Sequence, residues 1–116
     1  MTKIKKDVSE RFFRNCLKEE IVKVTDFATL KFHDIQFIDP DFREFVYGML
    51  HSVYIDGEIV YLYVVLRIGD ELSDCFYKSI VKTAALKIQQ WHANKFPDNK
   101  EKASVDVLQF KCPRKK

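Results

Sequence analysis

The stretch Val46-Tyr-Gly-Met-Leu-His-Ser-Val-Tyr-Ile-Asp-Gly-Glu-Ile-Val-Tyr-Leu-Tyr-Val-Val-Leu-Arg-Ile-Gly69 decides the fold. Two arms rich in β-formers flank Asp56-Gly57, a dipeptide suited to a two-residue hairpin turn because both turn positions require positive φ. The second arm, Ile59 to Ile68, is nearly all β-branched, aromatic or Leu. A run without a polar face predicts a central strand covered on both sides. The rest of the chain has to pack around it.

The chain has 116 residues, enough for one domain. Apolar residues make up 47% and aromatics 14%, which excludes a disordered tail-like protein. Only three Gly and three Pro argue against a loop-rich fold. The net charge of +3 is mildly basic and does not by itself indicate a nucleic-acid partner. Cys16, Cys75 and Cys112 are odd in number and widely spaced, with no CxxC or Cys/His cluster. That pattern predicts reduced thiols in the cytoplasm and no zinc site. The basic start, Met-Thr-Lys-Ile-Lys-Lys, leads into no apolar stretch, so no signal peptide is expected. Ile59 to Leu66 is too short to span a bilayer, so no membrane association is expected.

Outward from the hairpin, Val8, Phe12, Phe13, Cys16, Leu17 and Ile21 form one apolar stripe, predicting a helix over Asp7 to Ile21. Val22 to Ala28 reads as a connector and Leu30 to Ile38 as a strand stopped by Pro40. Phe42 to Phe45 reads as one helical turn or a direct lead into the hairpin. After Gly69, Asp70 is a candidate helix cap, with Glu71 and Asp74 at the positive end of the dipole. Leu72, Phe76, Ile80, Ala84, Ile88 and Trp91 recur at helical spacing up to Pro97. Ser104 to Phe110 alternates as a final strand, followed by the basic tail Lys111 to Lys116. Helix, strand, hairpin, helix, strand predicts a mixed sheet with a helix on each face. The long crossover allows the last strand to pair parallel to a hairpin strand.

This αβββαβ order is similar to the core of PD-(D/E)xK nucleases. Residue by residue, the chain resembles one branch of them, the recombination-promoting nuclease family of transposase-like proteins (Rpn or YhgA-like). Asp7-Val-Ser-Glu-Arg-Phe12 resembles that family's second helix, with Leu17 through Asp26 as its continuation. Phe27-Ala-Thr-Leu-Lys-Phe32 and Gln36-Phe-Ile-Asp-Pro-Asp-Phe-Arg43 resemble the stretches before the catalytic hairpin. Tyr61-Leu-Tyr-Val-Val-Leu66 resembles the strand that carries the catalytic glutamate, and Ala103 to Phe110 a later strand. The order and spacing of these stretches over residues 7–110, rather than any one of them, carry the resemblance.

The departures fall on the chemistry. The family's metal-binding Asp lies on the first hairpin strand, where alignment on Met49-Leu50-His51 puts Gly48. Its Glu-x-Gln follows the second apolar run, where this chain has Arg67 and Gly69. The family's opening helix and usual C-terminal extension have no counterpart here. The resemblance therefore implies a truncated, active-site-degenerate member without catalytic residues, acting through DNA or protein binding. Its partner would be DNA, a second copy or an intact family member; a separate alternative is an interaction module that dimerises through an exposed sheet edge.

Phosphodiester hydrolysis in this fold needs carboxylates that hold Mg²⁺, which activates water and offsets charge on the phosphate. Gly48 offers no ligand and Arg67 repels a dication, so no cofactor is expected unless the site has moved. Asp70 and Glu71 are the acids to which it would have moved, with Mg²⁺ as the cofactor of that active alternative. The simpler reading of Asp70 and Glu71 is a helix cap. Arg67, Lys78 and Lys82 are candidate phosphate contacts, with Lys87, Lys111, Arg114, Lys115 and Lys116 adding to a basic footprint. The simpler readings are an ion pair from Arg67 to Asp70 or a neighbouring acid, and a solvated lysine face. His33, His51 and His92 are far apart in sequence, and pairing them with a cysteine nucleophile has no support in spacing.

Overall fold

A computed structural model describes residues 6–98 and 103–113. The elements are α1 (Lys6–Cys16), α2 (Glu19–Lys23), β1 (Thr25–His33), a 3₁₀ turn (Pro40–Phe42), β2 (Val46–Ile55), β3 (Glu58–Ile68), α3 (Asp74–Lys95) and β4 (Ser104–Cys112). The sheet order is β1-β2-β3-β4. β1 and β3 run antiparallel to β2, and β4 runs parallel to β3. The predicted mixed sheet and αβββαβ order are present.

The hairpin forms as its turn dipeptide demands: Asp56 and Gly57 have φ of 51° and 81°. Counting outward from that turn fixes the register, with Ile55 opposite Glu58, Leu50 opposite Tyr63 and Gly48 opposite Val65. Side chains of β3 alternate between two cores. Tyr61, Tyr63 and Val65 join Leu50, Tyr77, Ile80, Ala84 and Ile88 under α3. Leu62 and Val64 join Phe13, Phe27, Leu30 and Val53 on the α1 side. A strand buried on both faces needs no polar periodicity, which is why its apolar run is continuous. Full burial of each such side chain contributes roughly 1.5–3 kcal/mol.

Four boundaries differ from the sequence expectation. The first helix is two, because Lys18 is extended (φ −62°, ψ 147°) and starts α2 as its N-cap. The strand expected over 30–38 is β1 at Thr25–His33, so most of the expected connector 22–28 belongs to α2 or β1. The bulge between Asp26 and Lys31 masks β1's alternation. Pro40 starts a 3₁₀ turn capped by Asp39, whose carboxylate accepts from the Asp41 amide at 2.9 Å. Finally, α3 starts at Asp74 and is capped by Ser73, whose hydroxyl accepts from the Phe76 amide at 3.2 Å. Asp70, Glu71 and Leu72 precede the helix, so neither Asp70 nor Glu71 caps it.

Candidate functional site

Gly48, Val65 and Arg67 lie on the face of the hairpin that α3 covers. Val65 is Gly48's partner across the ladder, and Arg67 is opposite Val46. The register therefore brings the positions of the resemblance's first acid and its glutamate to one place on one face. Neither position carries an acid.

Tyr63 fills the space at Gly48. A Cβ built on Gly48 would overlap the Tyr63 hydroxyl and stand 2.6 Å from its Cζ. The Tyr63 ring is fully buried, and its hydroxyl has no partner among the described residues. Burial pushes that hydroxyl's pKa up to about 12, so it stays neutral.

Arg67 is held from three directions. Its Nη1 donates to Asp74 Oδ1 at 2.8 Å and its Nη2 to the Leu72 carbonyl at 2.7 Å. The guanidinium lies 4.7 Å from the centre of the Tyr77 ring. Its side chain is 15% exposed, against 83% for Asp74. The guanidinium holds the Asp74 carboxyl below the usual aspartate value. The expected ion pair from Arg67 to a neighbouring acid exists, and its partner is Asp74.

Asp70 is engaged elsewhere. It pairs with Lys111 of β4 at 2.5 Å, and that contact lowers its pKa. Gly69 has φ of 70°, and a Cβ there would overlap the Glu71 carboxylate. Asp70 and Glu71 follow the end of β3 in the segment leading to α3, with Asp70 near enough to Arg67 for its charge to help lower the Asp70 pKa. Lys78 lies on the exposed side of α3 near enough to Asp74 to help lower its pKa, and Lys82 is exposed one turn further on. Arg114, Lys115 and Lys116 lie outside the described residues.

The side chains at this place do not fit a divalent cation. A hard cation takes oxygen ligands from carboxylates and carbonyls. Here a phenol fills the Gly48 space and a guanidinium stands at position 67. Among the described residues no three His, Cys, Asp or Glu side chains gather as a metal site.

Three histidines, scattered in sequence, each meet a hydroxyl in the fold. His51 Nε2 and Ser9 Oγ are 3.0 Å apart, His33 Nε2 and Ser52 Oγ 2.7 Å, and His92 Nδ1 and Tyr61 Oη 2.6 Å. A Ser–His contact is the first requirement of a nucleophile and its base. The second, a group that orients the imidazole from its other nitrogen, is missing at His51 among the described residues, where its buried Nδ1 has no partner. Burial, with His33 as a minor contributor, lowers the His51 pKa to about 4. Burial and the charges of Lys95 and Lys31 lower His33 to about 4. Ser9 and His51 are both buried, so this pair satisfies polar groups within the core.

Two of the site's principal residues were not legible as such in the sequence. Asp74 read as a dipole residue of α3, and Tyr63 as one of many apolar positions in β3. The signal for Tyr63 was its place two residues before Gly48's ladder partner on the same face.

No helix among the described residues is long and apolar enough to cross a membrane. No curated protein and no solved structure matches the chain. The family model described as putative transposase, YhgA-like, matches residues 2–105. With that match covering most of its length, the chain belongs to the YhgA-like putative transposase family.

Proposed function

We propose that this chain is a catalytically inactive member of the recombination-promoting nuclease branch of the PD-(D/E)xK superfamily, working by binding rather than by cleavage. One observation carries the reading: the Tyr63 hydroxyl fills the space where a metal-binding carboxylate at Gly48 would have to stand. Arg67, at the position of the glutamate, supports it. Tied to Asp74, Leu72 and Tyr77, it is an integral part of the packing. The binding partner in this reading is DNA, met through the exposed Lys78 and Lys82 side of α3.

The test is plasmid cleavage with Mg²⁺ or Mn²⁺ against an EDTA control, beside an Asp70→Ala/Glu71→Ala variant. The expected result is no cleavage above the control. Divalent-dependent cleavage that disappears in the variant would mean a relocated active site and overturn the reading. For the binding half, DNA affinity should fall steeply with salt and fall further in Lys78→Ala/Lys82→Ala. Absence of DNA binding at low salt would refute DNA as the partner.

A further inference from the structure

The two outer strands of the sheet differ in how their open sides are treated. An unpaired edge is a template for another strand, and proteins guard it with bulges, proline or lysine. β1 is guarded. Its register breaks between Asp26 and Lys31. At the break, the Ala28 carbonyl accepts from Lys6 Nζ at 2.6 Å and its amide donates to Asp26 Oδ1 at 3.2 Å. The Thr29 hydroxyl donates to the Asp26 carbonyl at 2.6 Å.

β4 has neither a bulge nor a proline. Its register with β3 runs unbroken from Ser104 to Cys112, without proline. Among the described residues no strand pairs with its outer side. Its one lysine, Lys111, is paired with Asp70 of its own chain.

An apolar strip leads to this edge on the α1 face. Leu108 packs on the α1-side core, and Phe110 contacts Phe12 with ring centres 5.6 Å apart. Phe110, Phe12 and Val8 are 38%, 36% and 52% exposed. Beside them, an apolar groove of about 260 Å³ opens between Val8, Phe12, Met49 and Val64. A patch of this kind beside an open edge marks an interaction surface.

We propose that β4 pairs antiparallel with β4 of a second copy, about a two-fold axis through Gln109. The inference does not depend on the proposed function. Antiparallel neighbours related by symmetry require a two-fold axis perpendicular to the sheet. Such an axis keeps each face on its own side, so residues of the same parity oppose one another. With Gln109 on the axis, Leu108 of each copy opposes Phe110 of the other. The two Phe12 rings continue that cluster, an apolar cross-strand match. On the other face Val107 opposes Lys111, and no like charges meet. Moving the axis to Leu108 or Val107 places Asp106 opposite Phe110 or Leu108, charge against apolar surface. Moving it to Phe110 shortens the overlap.

The test uses the full chain with the exposed Cys16, Cys75 and Cys112 changed to Ser. In that background Gln109→Cys sets two thiols directly across the axis, within the Cα separation a disulfide spans. Mild oxidation should give a linked dimer. Asp106→Cys should not link, because six residues along the ladder separate it from its copy by about 20 Å. By sedimentation the parent chain should show a concentration-dependent dimer. Gln109→Lys, which faces two cations across the axis, should weaken that dimer at least tenfold with circular dichroism unchanged. A chain monomeric at every concentration would overturn the proposal. So would a dimer that Gln109→Cys does not link, or one that Asp106→Cys links as readily.

Discussion

The hydroxyl of Tyr63 occupies the space that any side chain on Gly48 would need. The two residues are on neighbouring strands of one hairpin, and the glycine makes the close approach possible. A buried phenol with no partner among the described residues is a cost the fold carries, offset by the ring's packing under α3.

Gly48→Ala should therefore destabilise by about 1–3 kcal/mol, the usual cost of overpacking. In a Tyr63→Leu background the same change should cost clearly less, because the overlapping ring is gone. Tyr63→Phe alone removes only the unpartnered hydroxyl and should leave stability unchanged or raise it by up to about 1 kcal/mol. Urea midpoints of the four variants check all three statements.

Putting acids back should not by itself create a metal site. Gly48→Asp with Arg67→Glu retains the Tyr63 ring in the space the new carboxylate needs, so Mn²⁺ should bind no better than to the parent chain. Adding Tyr63→Ala should give measurable Mn²⁺ affinity by calorimetric titration. Equal affinity with and without the Tyr63 change would show that the ring does not block the site.

Arg67→Ala should lower stability by roughly 1–3 kcal/mol through loss of a charge-assisted bond to the part-buried Leu72 carbonyl and of packing on Tyr77. Asp74→Asn should have a far smaller effect, since that carboxylate is 83% exposed and salt-screened. Chemical denaturation at low and high salt separates the two. A larger loss for Asp74→Asn than for Arg67→Ala would mean that the ion pair, not the packing, holds this corner.

Stability should rise with pH between about 4 and 6.5. His51 and His33 have folded pKa values of about 4 against an ordinary 6.5. In that interval the unfolded chain binds more protons than the folded one, so acidification favours unfolding. Above 6.5 both states hold neutral imidazoles and the dependence ends. The lowered carboxyls of Asp70 and Asp74 act below about 3.8, outside this window. His51 should account for a loss on the order of 2 kcal/mol between pH 7 and pH 4. Urea midpoints across the interval measure it. His51→Gln, which can still meet Ser9, should flatten the slope, and an unchanged slope would assign it to His33 or His92.

The strength of the sequence signal varied along the chain. β3 was plain because a strand buried on both faces leaves an unbroken apolar run. The turn at Asp56-Gly57 then fixed the hairpin register by counting. α3 was visible from its apolar spacing, but its start was not, because Asp70 and Ser73 are both good caps. The choice fell to Ser73, with the turn after Gly69 placing Leu72 where its carbonyl meets Arg67. β1 was displaced because its bulge breaks the alternation that marks a strand. At the site, Gly48 and Arg67 stood out as departures from a resemblance. Tyr63 did not, because an aromatic in a buried strand has an ordinary explanation until its neighbour proves to lack a side chain. The Ser–His and Tyr–His contacts join residues 19 to 42 positions apart and have no local signal.

The parallel pairing of β3 with β4 has a consequence for how the chain assembles. The hairpin closes through a two-residue turn, so its contacts are near in sequence and can form early. β4 can reach β3 only after the 22 residues of α3 have crossed the sheet. Until then the β3 run from Tyr61 to Leu66 has one bare side, and the nascent chain is most prone to aggregate in that interval. In the native state β3, paired along both sides and buried on both faces, should be the last strand to exchange its amide hydrogens.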